Sequence, residues 1–303
     1  MKVIYGIKNI KGIKDGVVAI GVFDGVHRGH INILRNAVLQ AHKIKGNSVV
    51  VTFWPHPQKE PSLYSLAHRL KLIAEQGIDV CVVVNFNRKF ASISAENFIK
   101  SILLKKLSAK YIFVGSNFRF GKYARGNIEV LRELGRNYAF KVRVFKVVRK
   151  NNLVVSSTII RVLIRKGQFN KAESLLTRPV YVLGTVIKGI LLAQRMGVPT
   201  ANINPHHEVT PVSGIYAVRV IFANKRYFGI CYIGRKPTLN MRKERHIEVH
   251  IFDFKKNIYG KDLEIQFLKK IRNDKKFSSL HALACQIHKD IQKTTQYLST
   301  VSL

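Results

Sequence analysis

The densest grouping of chemically useful residues is G-V-F-D-G-V-H-R-G-H at 21–30. Gly21, Gly25 and Gly29 let backbone come close to a ligand. A helix starting just beyond them would offer unpaired N–H groups and the positive end of its dipole to a phosphate. His27 and His30 can then stabilise charge developing on that phosphate, and Phe23 and Asp24 lie in the same turn. The pattern is neither a Walker P-loop nor G-x-G-x-x-G, so those two nucleotide-binding families do not apply. A zinc reading of the two histidines lacks a third ligand nearby. Local spacing alone leaves open a glycine-rich turn whose histidines only cap a helix. A second grouping, V-S-S-T-I-I-R at 155–161, places two hydroxyls at a helix start and an arginine one turn in. Alone it is an ordinary N-cap; in company with the first turn, Ser157, Thr158 and Arg161 are assigned to a bound phosphate group.

These groups need a scaffold, and the first half has the pattern for one. Runs of β type at 17–23, 48–53, 80–86, 111–115 and 141–148 alternate with helical stretches, as in a parallel sheet flanked by helices. A helix at 31–41 carries Ile31, Leu34, Val38 and Ala41 on one face, and one at 95–107 repeats Phe98, Ile102 and Leu103; such stripes are core. A third helical pattern at 157–176 ends at Arg178-Pro179. Beyond it come closely spaced β-type runs at 180–188, 214–222, 226–233, 247–254 and 263–271, then a helix at 279–298. That half is expected to be a small antiparallel β-barrel with a C-terminal helix. The domain boundary is placed near 180, with an α/β unit holding a Rossmann-like parallel sheet at 1–180 and the barrel at 181–303.

The chain is long enough for two cores without disulfides. Cys81, Cys231 and Cys285 form no C-x-x-C pair, which suits a reducing cytoplasm. No signal-like apolar segment and no membrane span is expected. The net charge of +35 invites a nucleic-acid or anionic-membrane reading. The first 180 residues hold 32 Lys and Arg against 9 Asp and Glu, and the rest 20 against 8, so the charge is spread rather than concentrated in a binding tail. Drift toward lysine explains it without a polyanionic partner, and a positive field would also draw in nucleotides. Self-association is left open.

The H-x-G-H element resembles that of the nucleotidylyltransferase superfamily, and its surroundings are similar to the bacterial bifunctional riboflavin kinase/FMN adenylyltransferases. T-F-W-P-H-P (52–57) resembles the family's second-strand motif, V-G-S-N-F-R-F-G-K-Y-A-R-G-N (114–127) its flavin-side loop, and 155–161 its phosphate-binding helix start. The resemblance implies flavin binding by His56, Pro57, Asn117 and Arg125. In the second half G-T-V-I-K-G (184–189), P-T-A-N-I (199–203), P-V-S-G-I-Y-A-V (211–218), I-G-R-K-P-T (233–238) and E-V-H (248–250) are similar to the riboflavin kinase barrel. There the resemblance implies ATP binding by Gly184, Gly189, Pro199, Thr200 and Asn202, Mg²⁺ on Thr200 and Asn202, and Glu248 as the base. A hydroxyl and an amide oxygen suit a hard cation. Tyr216 and Phe222 are read as barrel core rather than flavin-stacking residues.

The implied activity is ATP-dependent phosphorylation of riboflavin to FMN in the C-terminal half and adenylylation of FMN to FAD, releasing pyrophosphate, in the N-terminal half, with Mg²⁺. Departures fall in both halves. Where the family has Arg-Leu-Thr and then Glu-Lys, this chain has Ser62-Leu63-Tyr64 and His68-Arg69, which bears on substrate affinity. Ala193-Gln194 and Val198 replace Gly-Arg and an aromatic, Tyr232 replaces Asn, and Leu239 follows Pro-Thr. Glutamine cannot replace an arginine's charge, so one alternative is an FMN adenylyltransferase with a weakened kinase half. The alternative from another class is a basic nucleic-acid-binding protein on an enzyme-like fold, supported by charge alone.

Overall fold

A computed structural model describes residues 1–57, 62–189, 197–235 and 245–301. Ala193, Gln194, Leu239 and the 236–238 part of I-G-R-K-P-T lie outside the described residues. Two compact units are present, one of Met1–Ser62 with Leu66–Ser157, the other of Leu63–Ser65 with Thr158–Leu303.

In the first unit, β2 (Gly16–Ile20) is buried at every position, β3 (Ser48–Trp54) at its first five and β4 (Val80–Asn85) at all but the last. Near-continuous apolar runs of this kind belong to parallel strands covered on both faces. With β1 (Lys2–Tyr5), β5 (Ala109–Gly115) and β6 (Lys141–Phe145) they form a six-stranded sheet in the order β1-β4-β3-β2-β5-β6, parallel throughout. The order reverses about β2, and in open α/β sheets ligands bind outside the carboxyl ends of the strands at such a reversal. The carboxyl ends of β2, β3 and β5 run into the turn at 21–30, into Pro55 to Pro57, and into the loop at 116–126.

Several helices differ from the sequence expectation for physical reasons. In α1 (Arg28–Lys43) the buried face is Ile33, Leu34, Ala37 and Ala41, while Ile31 and Val38 are only half-buried, because the small Ala37 and Ala41 are what face the sheet. α2 (Leu66–Ala74), the single turn α3 (Arg88–Ala91) and α5 (Ile128–Asn137) carry no long apolar repeat. α4 (Ala95–Phe98) widens into a π-type stretch at Ile99–Leu104 and still buries Phe98, Ile102 and Leu103. A short hairpin, β7 (Arg149–Lys150) and β8 (Leu153–Val154), leads to α6 (Ser157–Arg165). The pattern at 157–176 is two helices, α6 and α7 (Phe169–Leu176). Gly167 between them has φ +70°, a conformation that ends a helix at little cost only for glycine.

The second unit is a closed antiparallel barrel. Its strands are β9 (Tyr181–Ile187), β10 (Ala201–Asn204), β11 (Gly214–Phe222), β12 (Lys225–Arg235), β13 (Arg245–Ile251) and β14 (Asp262–Asn273), ordered β10-β13-β12-β11-β14-β9. Phe169, Tyr216 and Phe267 meet ring to ring inside it, so Tyr216 is core. Phe222 packs edge-on against Phe254. The final helix α8 (Leu280–Leu298) opens with Ser279, whose Oγ accepts from the Ala282 amide. It is pinned to β14 where Arg272 donates two Nε contacts at 2.9 Å and one Nη2 contact at 2.7 Å to the buried Asp290 carboxylate.

Candidate active sites

The turn after β2 is held in an unusual shape. Phe23, Gly25 and Val26 have φ of +53°, +80° and +37°, and for Val26 that is a conformation a β-branched residue avoids. Such strain persists where surrounding contacts over-determine it, and it clusters at functional sites. Here Phe23, Asp24, Val26 and His27 are all buried. His27 sits at the N-cap of α1, its Nδ1 accepting from the His30 amide at 3.4 Å. The two imidazoles stack with centroids 3.6 Å apart and planes 15° apart, and Phe23 meets His30 edge-on. A side chain at 29 would press on the His27 ring at 3.3 Å and one at 21 on the Phe23 ring at 3.3 Å, so both glycines leave room for the ring pair. The result is a helix start with two paired imidazoles and no acidic residue in the first turn, a place that favours an anion.

Ser157 joins this turn, its Oγ donating to the Asp24 carbonyl at 2.8 Å. Thr158 and Arg161 follow in α6 and belong to the second unit. At the ends of β3 and β5, His56 and Pro57 are half-buried and Asn117 and Arg125 exposed. Asn117 lies beside Gly115, and the Arg125 guanidinium lies 5.7 Å from the centre of the exposed Tyr123 ring. Tyr123 and Ala124 both have positive φ.

In the barrel, the pairing register rather than proximity in sequence builds the second cluster. Asn202 on β10 and Tyr232 on β12 lie directly opposite Glu248 on β13, one on either side. The Thr200 hydroxyl donates to Glu248 Oε2 at 3.3 Å, and His246 Nε2 contacts Glu248 Oε1. Asn202 is buried, and its Oδ1 has no hydrogen-bond partner among the described residues. Gly189 lies so close over the Asn202 amide that any side chain there would overlap it. Gly184 likewise presses against Ile203 and Asn204 of β10. His250 Nδ1 donates to the Pro199 carbonyl at 2.7 Å, fixing the approach to β10. Beside Thr200 a pocket of 290 Å³ opens between Pro199, Val249, Phe254, Lys255, Lys256 and Tyr259. Tyr232 reaches past Gly234 to Asp274 at 3.4 Å, and burial together with that carboxylate pushes its phenol up.

Four residues at or near these sites, His246, Arg69, Lys255 and Lys256, were not singled out as site residues from the sequence. His246 lies two positions before Glu248, a spacing that places both on one face of a strand, which was the available clue. Arg69 shows in the sequence only as part of the departure from the family's Glu-Lys, and the pocket's Lys255 and Lys256 are recognisable only from the fold. Among the described residues no three His, Cys, Asp or Glu side chains gather as a metal cluster, and no helix is long and apolar enough to cross a membrane.

Comparison with known proteins divides the chain in the same way as the two clusters. A family model described as FAD synthetase matches residues 10–159, and one described as riboflavin kinase matches 176–298. A bifunctional riboflavin kinase/FMN adenylyltransferase of Buchnera aphidicola (from Schizaphis graminum) is 39% identical over 99% of this chain and 100% of its own length. The protein of the same description from Escherichia coli K12 is 36% identical over 96% of each. A crystal structure described as a macrolide-efflux protein from Streptococcus pneumoniae, 30% identical, shares the fold with a TM-score of 0.84 over 97% of this chain and 99% of that one. With both domain families present in order and relatives matched from end to end, the chain belongs to the bifunctional riboflavin kinase/FMN adenylyltransferases.

Proposed function

We propose that this chain makes FAD from riboflavin in two steps, with residues 181–303 phosphorylating riboflavin to FMN and residues 1–180 adenylylating FMN. The observation that carries the proposal is the presence in one chain of two separate phosphate-handling clusters, the stacked His27/His30 pair at a helix start and the Thr200–Glu248 pair beside a buried amide oxygen.

In the first half an oxygen of the FMN phosphate attacks the α-phosphorus of ATP, the new P–O bond forms and the bond to pyrophosphate breaks. No covalent enzyme intermediate is required, so the contribution of the protein is positioning and neutralisation. The turn at 21–30, with Gly21, Phe23, Asp24, Gly25, His27, Gly29 and His30, holds the triphosphate with Ser157 beside it; Thr158 and Arg161, in the helix that follows, are assigned to phosphate by the family's helix-start motif. His27 and His30 stabilise the negative charge that develops on the phosphate oxygens during transfer. His56, Pro57, Asn117 and Arg125 lie at strand ends flanking the reversal point and take the flavin.

In the second half the riboflavin hydroxyl loses its proton to Glu248 and attacks the terminal phosphorus of ATP, and ADP leaves. Thr200 and His246 hold the two oxygens of that carboxylate in place. Asn202 Oδ1, a buried acceptor without a partner among the described residues, and the Thr200 hydroxyl fit a hard divalent cation such as Mg²⁺. When bound, the cation draws charge from the phosphates. Gly184 and Gly189 let their segments close on β10 and on the Asn202 amide, and with Pro199 they are assigned to the ATP side of this site.

A weaker kinase is a second reading, favoured by the Tyr232 phenol standing directly across from Glu248. Rates of FMN formation from riboflavin by wild type and Tyr232→Asn test it: a faster variant supports the weak-kinase reading, equal rates remove Tyr232 as its cause, and clear wild-type turnover of riboflavin at ordinary ATP concentration excludes it. The three free thiols suit the cytoplasm, and nothing beyond charge favours a nucleic-acid partner.

A further inference from the structure

Arg69, on α2, is wholly buried. One of its nitrogens, Nη1, donates to the Val22 carbonyl at 2.9 Å and the Phe53 carbonyl at 3.2 Å, and lies 3.4 Å from Thr52 Oγ1. Thr52 Oγ1 itself donates to the Val22 carbonyl at 2.9 Å. The guanidinium lies under Trp54, 5.5 Å from the ring centre. Its other two nitrogens, Nε and Nη2, have no hydrogen-bond partner among the described residues. Burial pushes its pKa down, opposed by the nearby Asp24 charge.

Stability does not account for this arrangement. A buried cation costs several kcal/mol and is offset only by good geometry and full hydrogen bonding, and here only one nitrogen is engaged. What that nitrogen engages is informative. Val22 begins the strained turn that carries His27 and His30, and Phe53 is the last inward step of β3 before Trp54, Pro55, His56 and Pro57. Both are the carboxyl ends of neighbouring parallel strands, where α/β folds place their ligands.

We infer that Arg69 is a positioning residue for adenylyl transfer: by drawing the Val22 and Phe53 carbonyls onto one nitrogen, it sets the distance between the nucleotide turn and the segment ending at Pro57. The inference rests on the FMN-adenylylating role of the first half. A guanidinium is not required for it, since an ammonium group has three donors for the same three acceptors. The two carbonyls must only be held together.

The test compares Arg69→Met, which keeps the stem under Trp54 without a donor, with Arg69→Lys. Replacing a buried ion by an apolar side chain of similar volume is often neutral for folding, so the methionine variant should fold. Riboflavin phosphorylation by the same chain serves as the internal control. Because misplacement by about 1 Å costs on the order of 100-fold in rate, Arg69→Met should lose about tenfold or more in kcat for FAD formation from FMN. Its KM for ATP and its FMN formation from riboflavin should stay within about threefold, and Arg69→Lys should recover most of the lost kcat. Wild-type FAD formation in Arg69→Met would overturn the inference, as would a parallel loss of both activities or a lysine variant no better than methionine. If wild type itself made no FAD from FMN, the activity assigned to the first half would fail instead, so the two failures are distinguishable.

Discussion

The two imidazoles at 27 and 30 are brought together by a single helical turn, which is why their pairing could be read from spacing. Replacing His30 with alanine should lower FAD formation from FMN by about 100-fold, the usual loss of one preorganised charge-stabilising group, and leave riboflavin phosphorylation unchanged. Glu248→Gln should do the reverse, cutting FMN formation by a factor of about 100 or more, in the range of a lost general base. Chromatography of the flavin products checks both, and equal damage to both reactions by either variant would contradict the division of labour. Gly189→Ala tests the barrel site from its backbone side. A methyl there must displace the Asn202 amide, so kinase activity should fall and need more Mg²⁺ for half-saturation, measured by Mg²⁺ titration of FMN formation. Thiol chemistry follows burial: Cys81 is pushed up to about 12 and Cys231 further still, both by desolvation, while Cys285 is exposed. Native protein should therefore react with one equivalent of alkylating agent, with Cys285 as the labelled residue in a peptide map. The residues that spacing did not reveal, Arg69 and His246, act through partners that only the folded chain supplies, Arg69 through carbonyls on two strands and His246 through a contact across one strand face.

Among the elements, the strands of the sheet and barrel were legible in place, β3 and β11 to within one residue, while β2, β6 and β13 end three residues before the expected position. Short elements were not. β10 has four residues, A-N-I-N, too few for alternation to register, and yet its place between β9 and β13 is what sets Asn202 opposite Glu248. The stretch 157–176 reads as one helix because its apolar period continues across Gly167; the break is made by backbone conformation, not by composition. The docking of α8 likewise depends on a pair 18 residues apart, Arg272 and the buried Asp290. Truncating one partner of a buried ion pair strands the other, so Asp290→Ala should cost about 3–5 kcal/mol. Denaturant unfolding of the chain would measure that loss, and a change under about 1 kcal/mol would mean the pair behaves as a surface contact.

At the scale of the whole molecule, two architectures were legible because hydrophobic period and turn spacing change along the chain; the compact units divide between Ser157 and Thr158. The charge of +35 carried no such information about fold, since spread surface charge constrains solubility and encounter rather than topology. Its expected effect is on capture of anionic substrates: raising salt from about 50 to 500 mM, which shortens the screening length to under about 5 Å, should raise KM for ATP in both reactions while leaving kcat little changed. Steady-state kinetics at the two salt concentrations check this. The central claim, that one chain performs both steps of FAD synthesis, is tested most directly by incubating the purified protein with ATP and Mg²⁺ plus either riboflavin or FMN and separating the flavins. FAD from both substrates, with FMN as the intermediate when riboflavin is supplied, is the predicted result; the absence of any flavin product from either substrate would contradict it.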